Sequence, residues 1–444
     1  MELAKGDYVV LLEAGDRLAT SALLRLADQA ANHAAAILYG DEDHAGPRGR
    51  RTPWFKPAWN EEMFLALDLL SGTVALRRDV ALAAARDLSG HRPLSPADAL
   101  LPRAGLLAKK DVTHLPRVLA HCAGEAKSSP HRAEEIQALL GTNANVAEGP
   151  FGTARVSWPL PTVRPVVSLV IPTRDRVELL RACVGSVLAK TDYAPFELVI
   201  VDNGSRDPET LAYLDELGLR KDVTIVRSEA PFNFSALCNL GARASRGAYL
   251  LFLNNDTEVI GGDWLSEMMR HAVRPEVGAV GAKLLYDDHT IQHAGVMIGL
   301  GEAAGHGHRF LPDCDPGYFR QAHVAQQVSA VTAACLLVAR AKFAASGGFD
   351  EEHFAIAYND VDLCLRLQEA GWRNIYTPHA ILYHHESKSR GDDLSPVHRE
   401  RYMAELAALQ ERWGTKTYRD PLHSPNLDRY NEIYIPLIEI DDYE

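Results

Sequence analysis

The sequence predicts an α/β protein: a mostly parallel sheet with helices on both faces, preceded by a partial second copy of the same fold. Three observations predict it. Short apolar runs alternate with helix-length patterns after a proline-rich break, "SWPLPTVRPVV" at 157–167. Three of those runs end in polar clusters. An early stretch of the chain repeats a later one.

The elements follow in order. Residues 167–171 form a short apolar run, then a helical pattern covers 176–190. An apolar run at 198–201, a helix over 207–217, a strand at 223–226 and a helix over 235–245 come next. The following run, "AYLLFLNNDTEVI" at 248–260, has no polar alternation until Asn254, which suits a strand covered on both faces. Strands separated by helices imply βαβ units, and ligands of such sheets sit beyond the carboxyl ends of the strands. The polar ends are "PTRDR" (172–176), "DNGS" (202–205) and "NND" (254–256). Each alone reads as a turn or a helix cap; three on one rim read as a site.

Composition sets the outer limits. The 444 residues exceed one ordinary domain, and 47% hydrophobic content supports sizeable cores. A net charge of -13 argues against a general nucleic-acid binder. The most apolar stretch, 324–345, is broken by Gln326, Gln327, Arg340 and Lys342, so no transmembrane segment is expected. The beginning of the chain, MELAKGDYVV, lacks a secretory signal pattern. The six cysteines show no CxxC and no metal spacing, as expected of reduced core residues in a cytoplasmic protein.

No GxGxxG follows the first strand and no GxxxxGK[ST] occurs, so a diphosphate would have to be held another way. A carboxylate with a divalent cation is the obvious alternative. The repeat pairs "GDYVVLLEAGDRL" (6–18) with "GAYLLFLNNDTEV" (247–259), and "HLPRVLAH" (114–121) with "YTPHAILYH" (376–384). In that alignment Asp256 falls on Gly15 and Asn254 on Glu13, with Asp16 next door. The expected division is a truncated copy at 1–125, a linker at 126–166, a complete domain at 167–420 and a tail at 421–444.

The stretches "VSLVIPTRDR", "LVIVDNGS", "FNFSALCNLGARASRGAYLLFLNND", "IQHAGVMIGLG", "GGFDEEHFAIAYNDVDLCLRLQEAGW" and "YTPHAILYHHESKSRGDD" resemble inverting family-2 glycosyltransferases with the GT-A fold. Among these, bacterial tandem-domain, rhamnosyltransferase-like enzymes of cell-surface polysaccharide are most similar. The resemblance implies transfer from a nucleotide-diphosphate sugar to a saccharide or lipid-linked saccharide, in the cytoplasm or peripherally at the inner face of the membrane. It implies a divalent cation, Mg²⁺ or Mn²⁺, on Asp256 of the "NND" motif and on His384, with His385 as the alternative ligand. It places Thr173, Arg174 and Asp202 at the nucleoside, and Asn239, Asn254 and Asn255 near ribose, phosphate or sugar. Asp360 is the implied general base, with Asp362 in reserve.

The residues taken alone also allow simpler roles. Asp360 could cap its helix, Arg174 could be a solvated charge, and Asn239 could lie on a helix's polar face. Asp362 and Arg366, four apart, suit a structural ion pair. His293, His306 and His308 suggest a metal tract or an acceptor-side loop; the second is preferred. The rival function is a non-catalytic glycan-binding or assembly subunit with degenerate domains.

Overall fold

A computed structural model describes residues 4–46, 49–86, 96–123, 131–385, 395–396 and 398–437. The apolar runs become strands, and the helical patterns between them become helices. β1 (Val167–Thr173), α1 (Val177–Lys190), β2 (Phe196–Asp202), α2 (Pro208–Gly218), β3 (Val223–Arg227), α3 (Phe234–Ala244) and β4 (Tyr249–Leu253) follow in turn. After them come β5 (Thr257–Val259), α4 (Trp264–Ala272), β6 (Val277–Leu285), β7 (Cys335–Ala339), α5 (Asn359–Glu369) and β8 (Arg373–His384). Local chemistry starts the helices where expected. Asp207 accepts from Thr210 N at 2.8 Å with Pro208 in the first turn, and Asn233 accepts from Ala236 N at 2.9 Å.

The sheet runs β3-β2-β1-β4-β7-β6-β8-β5, with short strands Ile291–His293 on β6 and Gln326–Val328 on β8. β1 to β4 are mutually parallel, as are β6 and β8, while β7 runs antiparallel between β4 and β6. Alternate strand residues feed two separate cores. Val170, Val199, Val201 and Phe252 go to one face; Leu169, Ile171, Ile200 and Leu251 go to the other. That two-sided burial is why these runs lack polar alternation. α3 lies so close to the sheet that a Cβ on Gly241 would stand 2.3 Å from Val170 Cγ1. This is the GT-A arrangement, with the carboxyl ends of β1, β2 and β4 on one rim.

The first copy has its own sheet. Its order is Tyr8–Leu11, Val74–Arg77, Ile37–Gly46, Val112–Ala123, Arg17–Leu18. That repeats β4-β7-β6-β8-β5, including the antiparallel second strand. The register corrects the sequence alignment. Arg17 faces His121 as Thr257 faces His384, so Asp16, not Gly15, is the counterpart of Asp256. A one-residue offset in the strand-end turn hid this, and a carboxylate is retained where none was expected.

Counterparts of β1 to β3 are missing among the described residues, and the outer edge of Tyr8–Leu11 has no partner there. An open groove of about 840 Å³ lies beside that edge, lined by Tyr8, Val10, Leu23, Leu26, Ala27 and Ala30. In the second copy the same helix, α4, is almost wholly buried and is tied by Trp264 Nε1 to Thr191 Oγ1 at 3.0 Å. In the first, Leu23 and Leu24 are 59% and 74% exposed.

The two copies are joined through charged and aromatic contacts. Part of the stretch expected as a linker is folded: helix Arg132–Leu140 packs Ile136 into the first core, and a hairpin pairs Asn145–Glu148 with Ala154–Ser157. Asn60 exchanges hydrogen bonds with Gln327, Tyr318 bonds the backbone of Pro53 and Phe55, and Trp54 stacks on Phe319 at 4.9 Å. The tail packs back as well, Asn426 donating to Asp41 at 3.0 Å. At the centre, buried Glu62 meets Arg274 at 2.5 Å, with buried His271 3.8 Å away. Burial would raise the Glu62 carboxyl, but the Arg274 charge and hydrogen bond override it and hold it down at about 2. Burial lowers His271 to about 4. Acid should therefore loosen this joint: the neutral His271 stabilises above its ordinary range, and that contribution is lost as pH falls toward 4. Glu62→Gln leaves Arg274 paired with Glu276 alone, at 2.9 Å, and is expected to cost about 1–3 kcal/mol of stability, read by denaturant unfolding.

Candidate active site

The three polar strand ends meet. Asn203 N donates to Thr173 O at 2.8 Å, and Asp175 N to Ser205 Oγ at 2.8 Å. Asp175 accepts from Arg206 N at 2.7 Å and Asp207 N at 2.9 Å. Asn255 Nδ2 donates to Thr173 Oγ1 at 3.0 Å, which closes the "NND" turn onto "PTRDR". Arg174 is exposed at this rim. Asp202 is fully buried with both oxygens engaged, one by Ser205 N at 3.0 Å and one by Arg227 Nε at 2.9 Å. Arg227, at the end of β3, was missed by sequence reasoning; the signal was its place at the next strand end beside Asp202.

Asn239 is a correction. Its Nδ2 donates to Phe349 O at 2.9 Å and Glu351 Oε1 at 2.8 Å, and its Oδ1 accepts from Phe349 N at 3.0 Å. The amide clasps α3 to the loop at 348–351, so both its N–H donors are spent and none is left for a phosphate.

His384 and His385 point apart, as adjacent strand residues must. His385 turns to Asp287 and Glu258. His384 is buried, with Nε2 3.2 Å from both Asp256 Oδ1 and Asn254 Nδ2. The approach to Asp256 is off the line of a hydrogen bond: Asp256 Oδ1 and Asn254 Oδ1 are buried without a hydrogen-bond partner. Two orphaned oxygens beside an imidazole nitrogen suit a hard divalent cation. Among the described residues no three or more His, Cys, Asp or Glu side chains gather as a metal site, so diphosphate oxygens and water would complete the shell. His293 Nδ1 lies 2.9 Å from His306 Nδ1, while His308 stacks on Tyr434 at 4.3 Å; the suggested histidine tract does not converge.

Asp360 sits in the first turn of α5, yet the N-cap position is Tyr358. Asp360 Oδ2 instead accepts from Ala333 N at 2.9 Å, across the sheet at the entry to β7, and Oδ1 accepts from Val361 N at 2.8 Å. The next residue holds the "NND" turn, since Asn254 N donates to Ala334 O at 3.0 Å. Asp360 and the "NND" turn thus hang from adjacent residues. Burial pushes the Asp360 carboxyl above its ordinary range, against lowering hydrogen bonds from Ala333, Val361 and Thr332. Thr332 was another residue sequence reading passed over. Asp362 is excluded as a reserve base. It is fully buried and held by Arg366 at 2.8 Å, Arg412 at 2.9 Å and Trp413 Nε1 at 3.0 Å.

Residues 168–301 match Glycosyl transferase family 2. The uncharacterized protein y4gI of Sinorhizobium fredii is 40% identical over 96% of this chain and 49% of its own length. The O-antigen biosynthesis protein RfbC of Myxococcus xanthus is 35% identical over 95% of this chain and 34% of its own. This chain therefore spans about half of the first relative and about a third of the second. A mannosyltransferase from Pyrobaculum calidifontis, solved with GDP-Man and Mn²⁺, aligns at 18% identity and a TM-score of 0.44, over 61% of this chain and 70% of its own. The chain carries a glycosyl transferase family 2 domain, and it does so on a GT-A sheet.

Proposed function

We propose that residues 167–420 form an inverting, metal-dependent transferase that moves a sugar from a nucleotide diphosphate to a saccharide or lipid-linked saccharide acceptor in bacterial surface-polysaccharide synthesis. One observation carries the reading most. A buried carboxylate with a raised pKa and a turn holding two orphaned oxygens hang from Ala333 and Ala334. This supports reading Asp360 as a proton acceptor near the diphosphate-bound cation.

In this reading Asp360 takes the proton as the acceptor oxygen bonds the anomeric carbon, and the carbon–oxygen bond to the diphosphate breaks on the opposite face. A cation held by Asp256 and His384 would neutralise the charge developing on the departing diphosphate. Thr173, held by Asn255, lines the nucleoside side, with Arg174 at its mouth. Asp202, with one partner on each oxygen, keeps lone pairs that could accept from a base N–H. Cytoplasmic placement, with peripheral approach to a membrane-borne acceptor, belongs to the proposal. Among the described residues no helix is long and apolar enough to cross a membrane.

The test is hydrolysis and transfer of nucleotide-diphosphate sugars with Mn²⁺ or Mg²⁺, with and without EDTA. Turnover insensitive to EDTA removes the metal. Nucleotide binding without any turnover favours the glycan-binding or assembly subunit, for which the substituted "NND" motif speaks.

The first copy, by the same reading, takes no part in the chemistry: Asp16 Oδ1 is already bonded to Ala123 N at 2.7 Å. Replacing Glu13 and Asp16 together by alanine is expected to leave turnover within about twofold of wild type. A large loss at unchanged melting temperature would give this copy a catalytic part.

A further inference from the structure

A neutral imidazole carries one proton, and whatever meets one ring nitrogen decides which nitrogen is left to bind. His384 meets Gln292. The Gln292 Oε1 lies 2.6 Å from His384 Nδ1 and can only accept, so Nδ1 carries the hydrogen. The lone pair is then on Nε2, the nitrogen facing Asp256 and Asn254.

Gln292 reaches this position through a defect in the sheet. Adjacent Leu284 and Leu285 of β6 face His293 and Ile291, which leaves Gln292 as the extra residue of a β-bulge. Bulges re-aim a side chain that regular pairing would turn elsewhere. Gln292 is also 4% exposed, so water does not compete for the bond. The first copy holds the equivalent histidine in the same way with a different group: Asp43 Oδ1 lies 2.7 Å from His121 Nδ1. Two copies that differ at most positions both place an acceptor behind this ring nitrogen.

We propose that Gln292 is a positioning residue that fixes the tautomer and ring plane of His384, so that Nε2 is presented to a divalent cation shared with Asp256. The proposal rests on the metal reading of this site. The Asn254 amide now donating to Nε2 would give way to the ion; a half-turn about its last bond brings the orphaned Oδ1 to the same place.

The test uses the full chain and four proteins: wild type, Gln292→Leu, Gln292→Glu and His384→Ala. Imidazole nitrogen shifts of the metal-free protein report the tautomer, and Mn²⁺ titration followed by loss of the free-ion EPR signal reports affinity. Gln292→Leu is expected to shift His384 toward the other tautomer and weaken Mn²⁺ about 10–100-fold. Gln292→Glu keeps an acceptor behind Nδ1 and should stay within a few-fold of wild type. Wild-type tautomer and Mn²⁺ affinity in Gln292→Leu, with binding lost in His384→Ala, overturns the proposal alone. Unchanged binding in both variants, or no binding by wild type, overturns the metal reading and the proposal with it.

Discussion

Asp360→Asn is expected to cut turnover by about 10²-fold or more while leaving the fold as stable as before. Asparagine keeps the volume and one acceptor for the Ala333 N–H, but it cannot take a proton. The sign of the stability effect separates this role from a structural one. Burial raises the folded-state pKa of Asp360, so the protonated form stabilises the fold. That contribution is complete below the ordinary aspartate range and is lost as pH rises through the raised value. At neutral pH the ionised group costs stability, and asparagine removes the charge. The melting temperature of the variant should therefore equal or exceed that of wild type, where loss of a helix cap would lower it. Wild-type turnover should fall on the acid side through a limb above the usual aspartate range, and that limb should be missing from the residual activity of Asp360→Asn. Normal turnover in the variant would remove Asp360 from the mechanism, and Asp362, enclosed by Arg366, Arg412 and Trp413, could not replace it.

Asp256→Ala is expected to abolish metal-dependent transfer, by 10³-fold or more if the cation supplies roughly 4 kcal/mol of transition-state stabilisation. Asp256 is the one carboxylate of the "NND" turn, and Oδ1 has no hydrogen bond to lose. The fold should tolerate the change, and unfolding with and without Mn²⁺ gives the control: wild type gains melting temperature from the ion and Asp256→Ala does not. Metal-stimulated turnover surviving in the variant would move the cation elsewhere.

The sheet was legible in the sequence because its central strands, buried on both faces, read as nearly continuous apolar runs. The runs at 167, 198 and 249 therefore announced their extent and their polar ends. What lay in long-range register was not legible. Asn239 looked like a free polar group because its partners at Phe349 and Glu351 are more than a hundred residues away in sequence. Asp16 was mistaken for a neighbour of the metal counterpart because alignment counts residues, whereas strand pairing fixes which of them face each other. Gln292 lies within "IQHAGVMIGLG", yet its part depends on a bulge that no periodicity reveals. His384 came from the resemblance; a histidine after an apolar strand is otherwise unremarked.

Among the described residues, the equivalent strands Tyr8–Leu11 and β4 are covered differently. β4 is bonded on both edges and enclosed by helices, so its amides open only when most of the domain does. Tyr8–Leu11 is bonded along one edge and half-exposed, and the helix beside it shows leucines to solvent. The two equivalent strands, in these residues alone, are therefore expected to differ widely in hydrogen exchange. Opening should begin at Tyr8–Leu11 and run toward the Glu62–Arg274 joint, which stands between this weak flank and the domain proposed to do the chemistry.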